Sequence, residues 1–74
     1  MTESPAAWAR YVAALAGAIP AADLDMTDRY ALITDLHNST GWSDSHIALH
    51  TRATVASITA ARRRLGLTEN GAQS

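Results

Sequence analysis

Residues 43–67 read SDSHIALHTRATVASITAARRRLGL. The stretch predicts two short helices joined by a tight turn, the first over about 44–51 and the second over about 55–65. Ile47 and Ala48 are adjacent apolar positions on the first, followed by Leu49. Val55, Ile58, Ala61 and Leu65 recur at helical spacing on the second. Ser43 can cap the first helix, since its hydroxyl accepts from an otherwise orphaned backbone N–H, and Thr54 can cap the second in the same way. Asp44 then falls in a first turn, where the helix dipole favours negative charge. Gly66 is a natural stop after Leu65, and three cations in the last turn suit the negative end of the dipole.

Charge is distributed unevenly around this stretch. Between Ser45 and Thr68 there is no acidic residue, whereas Arg52 stands at the turn and Arg62, Arg63 and Arg64 close the second helix. Residues 1–44 carry Glu3, Asp23, Asp25, Asp28, Asp35 and Asp44 against only Arg10 and Arg29. The net charge of −1 therefore hides a dipole, with one end suited to a polyanion and the other repelled by it. The plainer alternative is a solvated helix end.

The stretch resembles the helix-turn-helix family of DNA-binding proteins, such as phage repressors and small bacterial regulators. The resemblance spans residues 44–65 and rests on the Ile47–Ala48 pair, the gap to the turn, the capping Thr54 and the apolar ladder through Ile58 to Leu65. Ala48 stands where that family needs a small side chain so that two helices can approach. The family usually has glycine at the turn, in a left-handed conformation; here the residue is Arg52. A non-glycine residue there costs on the order of 1 kcal/mol and is tolerated.

The rest of the chain completes an all-α domain. Seventy-four residues make one small domain, expected over 5–67 between tails at 1–4 and 68–74. A first helix is expected from Pro5 to about Ala18, capped by Ser4 and ended by Ile19–Pro20. Its stripe of Trp8, Tyr11, Val12, Leu15 and Ile19 is expected to cover the core, with a dimer surface as the alternative. A second helix is expected over about 28–38, capped by Thr27, with Tyr30, Ile33, Leu36 and His37 on one side. Residues 38–41 then read as a turn. Trp42 is expected to pack between that helix and the motif as a staple. The architecture is thus a small four-helix domain, the last two helices forming the motif, with no β-hairpin wing after Leu67.

Several function classes find no support. The chain has no cysteine, so no disulfide framework or thiolate metal site is possible. No apolar run approaches the roughly 20 residues needed to span a bilayer, and no basic region precedes an N-terminal apolar stretch, so a cytoplasmic protein is expected. His46 and His50 share a helix face, but further metal ligands are distant; they read as exposed polar residues. No spacing pairs a nucleophile with a base and an orienting acid, and so short a chain leaves little room for a deep pocket. No enzyme activity, cofactor, metal or small-molecule ligand is expected.

The expected function is sequence-specific binding of double-stranded DNA, with the 55–65 helix in the major groove. By the resemblance, Thr54, Val55, Ala56 and Thr59 approach base edges. Arg52, Arg62, Arg63 and Arg64 hold phosphates, with Arg63 also in reach of a guanine. Few contacts mean weak binding by one domain, so a homodimer or tandem binding is expected. Size and resemblance imply a phage- or plasmid-type transcriptional regulator, or else a recombination accessory factor or an antitoxin. The competing class is a protein-interaction module whose arginines meet an acidic partner.

Overall fold

The computed structural model describes residues 5–69, and among them there are four α-helices and no strand. The helices are α1 (Pro5–Leu15), α2 (Met26–Thr40), α3 (Asp44–Thr51) and α4 (Val55–Leu65), with one 3₁₀ turn at Ala21–Asp23. No helix among the described residues is long and apolar enough to cross a membrane. The core is a single cluster. Leu32, Ile33 and Leu36 of α2 meet Ile47 and Ala48 of α3 and Ile58 and Ala61 of α4. Ala14, Ala21 and Leu24 close one end.

The α3–α4 pair forms as the local chemistry dictates. Ser43 Oγ accepts from the His46 N–H at 3.3 Å, and Thr54 Oγ1 accepts from the Ser57 N–H at 3.1 Å. At the end of α3, Ala53 N–H reaches back to the Ala48 carbonyl at 2.9 Å. This closure requires Arg52 in the left-handed region, and its φ is 58°. Arg52 is the one non-glycine residue with positive φ among those described. Ala48 is buried between the helices, as expected of a packing position.

The first two helices end differently from the sequence expectation, in each case because a stronger local signal wins. Asp25, not Thr27, caps α2: its carboxylate accepts from the Asp28 N–H at 2.8 Å. Residues 38–40 are helical, not a turn. Ser39 and Thr40 fold their hydroxyls back onto the Asp35 and Leu36 carbonyls, and the chain turns only at Gly41. The α1 helix stops at Leu15, before Pro20 can act. Gly17 adopts φ 83°, Gly17 N–H donates to Ala14 O and Ala18 N–H donates to Ala13 O at 2.8 Å. Gly17 is needed twice, because a Cβ there would lie 2.9 Å from the His50 ring. The Ser4 cap lies outside the described residues.

The stripe expected on α1 covers the core only in part: Tyr11 and, beyond the helix end, Ile19 pack against it, whereas the other three members do not. Trp8 is 60% exposed, Val12 44% and Leu15 38%, while Ala14 is the one fully buried residue among 6–15. Ala14 and Tyr11 face inward, while Trp8, Val12 and Leu15 turn outward. Trp8 stacks on Tyr11, whose hydroxyl donates to the Asp35 carboxylate of α2.

Candidate nucleic-acid interface

Helical geometry sorts the α4 side chains. Ile58, Ala61 and Arg62 turn inward and are buried; Leu65 is half-buried beside them. The outward stripe is Ala56, Ala60 and Arg63, at spacings of four and three, all exposed. On the α3 side it is flanked by Val55 and Thr59. On the other side lie Ser57 and Arg64, facing α2.

Of the eight sequence-predicted contacts, two are otherwise engaged. Arg62 is only 6% exposed, as is Asp44. Arg62 Nε donates to both Asp44 carboxylate oxygens at 3.0 Å, and Nη1 donates to the Leu67 carbonyl at 2.9 Å. The expectation that Arg62 holds a phosphate is therefore corrected: it falls on the Ile58–Ala61 face and finds its anion inside the domain. Thr59 is half-buried, and its hydroxyl donates to Asp44 at 2.8 Å. Its donor is spent there, which leaves the hydroxyl only its acceptor lone pairs for any other partner. Asp44 is thus not only a first-turn charge but the anchor of a buried network between α3 and α4.

The remaining six stand at the surface. Arg52 is exposed at the turn, Val55 and Ala56 are exposed on the first turn of α4, and Arg63 and Arg64 are exposed at its end. Thr54 is exposed too, although its oxygen is occupied as a cap. Arg64 donates to the Tyr30 phenol, which raises the guanidinium pKa further and orients that side chain along α2. Ser57 and Ala60 share this surface and were not singled out by sequence, since neither carries charge nor fits the apolar ladder.

Of the two α3 histidines, His46 is exposed as expected and His50 is not. His50 is half-buried; its Nε2–H donates to the Leu15 carbonyl at 2.9 Å, joining α3 to the end of α1. Trp42 packs against the core and stacks on His46 at 4.1 Å, with His50 at 5.0 Å. Trp42 therefore fastens α3 through that helix's own histidines. No group of three potential metal ligands occurs among the described residues. Beyond α4, the 68–74 tail begins tethered: the Thr68 carbonyl accepts from His37 Nε2 at 2.6 Å, and Glu69 lies 3.9 Å from Arg62.

Beside the α4 surface is an open cleft of about 430 Å³. It runs between α2 and α4, and three arginines line it: Arg29, Arg52 and Arg64. Arg29 Nη2 donates to the Leu24 carbonyl at 2.9 Å, but its buried Nε–H has no acceptor. Such an orphan donor costs about 1–3 kcal/mol.

No family model, curated protein or solved structure matches the chain.

Proposed function

We propose that α3 and α4 act as a helix-turn-helix that binds double-stranded DNA with α4 in the major groove. The observation that carries the reading is the surface of α4 together with the preceding turn. Small side chains at Ala56 and Ala60 allow close approach to a base edge, and three exposed guanidiniums, Arg52, Arg63 and Arg64, surround them. In this reading Val55, Ala56 and Ala60 offer apolar contact to thymine methyls. Arg63, in line with them, reaches a guanine or a phosphate, and Arg52 and Arg64 hold the backbone. Thr54 and Thr59 serve the fold, and Arg62 takes no part. A single domain with so few contacts binds weakly, so a homodimer spanning two half-sites is part of the proposal.

The test is binding to random duplex DNA across a salt series. Each neutralised phosphate contributes about −0.9 to the slope of log affinity against log salt, so three exposed arginines give a slope of about −2.7 per domain, doubled in a dimer. Absence of binding at low salt rejects the reading. A steeper slope that falls on replacing Arg62 would return that residue to the interface.

A second reading, a protein-docking module, is favoured by the exposed Trp8, Val12 and Leu15 of α1. It requires no duplex binding and a partner whose affinity depends on Trp8.

A further inference from the structure

We infer that the cleft between α2 and α4 is a binding site for a small organic anion, an acidic headgroup carried on a flat apolar body. Its size falls within the roughly 300–1,000 Å³ typical of small-molecule sites. Five of its lining residues are alanines, Ala21, Ala22, Ala53, Ala60 and Ala61, so it is space that the sequence leaves unfilled. Ile33, Ile58 and Met26 add apolar wall. No acidic residue lines it, although the chain has seven, while three guanidiniums and the Tyr30 phenol do. Like charges gathered around one concavity repel one another unless an anion enters.

These features select the class of ligand. A metal cation is repelled by the arginines. A neutral hydrophobe fills the apolar wall but leaves the guanidiniums without a counter-charge. A duplex phosphate can reach the exposed Arg52 and Arg64 but cannot occupy the apolar interior. An amphipathic anion satisfies both parts. Arg52 and Arg64 belong also to the proposed DNA surface, so the ligand and a polyanion compete for them. That competition rests on the DNA reading; the ligand site does not.

The experiment uses two fluorescent probes of nearly the same apolar body, anilinonaphthalene sulfonate and its uncharged relative phenylnaphthylamine, with the intact protein and no DNA. The anion is expected to bind about tenfold more tightly, the factor of one good charged hydrogen bond. Amide chemical shifts should move at Tyr30, Ala53 and Ala60. Arg29→Gln should narrow the gap between the probes. Ala22→Trp, at an exposed position that lines the cleft, should weaken both; near-UV circular dichroism checks that each variant is folded. Equal affinity for the two probes overturns the inference, as does failure of the anion to bind, or shifts confined to Trp8, Val12 and Leu15. The probe is then titrated into the protein with random duplex. Anion binding that leaves duplex affinity unchanged keeps the cleft site and removes its overlap with the DNA surface. Anion binding with no duplex binding at all rejects the DNA reading and leaves the cleft site standing.

Discussion

Replacing Asp44 by alanine should cost this domain a large share of its stability. The carboxylate accepts from Arg62 Nε through both oxygens and from the Thr59 hydroxyl, and both members of the ion pair are buried. Breaking a buried pair from one side costs about 3–5 kcal/mol, because the remaining charge is left without compensation. Arg62 keeps its bond to the Leu67 carbonyl and has Glu69 at 3.9 Å, which places the expected cost near the lower end, about 3 kcal/mol. A chain of this length holds roughly 4–11 kcal/mol in total. The melting midpoint should therefore fall by roughly 12–24 °C. Arg62→Met should cost less, since the carboxylate left behind can take up a proton whereas a guanidinium cannot release one. The double variant Asp44→Ala/Arg62→Met should be more stable than Asp44→Ala alone. Equilibrium urea unfolding of the four proteins measures the cycle. A loss below about 1 kcal/mol for Asp44→Ala would mean a solvent-screened pair, and Arg62 would again be available to a phosphate.

Four further outcomes are expected. Ala48→Leu should lose roughly 1–3 kcal/mol through overpacking between α3 and α4; an unchanged thermal midpoint would show that the helices do not meet there. Arg52→Gly should gain up to about 1 kcal/mol by relieving the left-handed backbone, and should flatten the salt dependence of duplex binding by about 0.9 of slope. Gly17→Ala should lose about 1–2 kcal/mol from the positive φ alone, with His50 resonances shifting as the ring is pushed from the Leu15 carbonyl. The Tyr11 phenol is held well above its usual range, by burial first and then by its hydrogen bond to Asp35. A raised folded-state value means that its stabilisation is fully present below the unfolded pKa of about 10 and is lost as pH rises through the folded value. Urea midpoints through the alkaline range should fall for the native chain and fall less steeply for Tyr11→Phe.

The α3–α4 pair was legible in sequence because its boundaries are set within a few residues. Ser43, Thr54 and Gly66 each act on backbone groups at most three or four positions away, so no tertiary knowledge is needed. The ends of α1 and α2 depended on rival local signals. Asp25 outcompetes Thr27, and Gly17 acts before Pro20. Arg62 was misread because three consecutive arginines look like one feature, yet a helix turns 100° per residue and sends each in a different direction. The periodic signal was present, since Arg62 lies four after Ile58 and three before Leu65. Its counter-charge was harder to see, because Asp44 stands just outside the acid-free segment and eighteen residues away. The cleft was beyond reach of sequence reading: alanines and arginines from separate segments make it, and nothing in their local spacing says that they converge.

The way α1 is attached sets the order in which this molecule opens. Among residues 6–15 of that helix only Ala14 is fully buried, and its C-terminal end is held by one imidazole hydrogen bond and the close approach of the His50 ring to Gly17. Tyr11 packs on the core and bonds to Asp35, but Trp8, Val12 and Leu15 face solvent. Its amides should consequently exchange with deuterium through a partial opening that leaves α2, α3 and α4 closed, at a free energy well below that of global unfolding. A protease would cut first near residues 16–20, and the remaining three helices would retain the Asp44–Arg62 pair and the cleft as one cooperative unit.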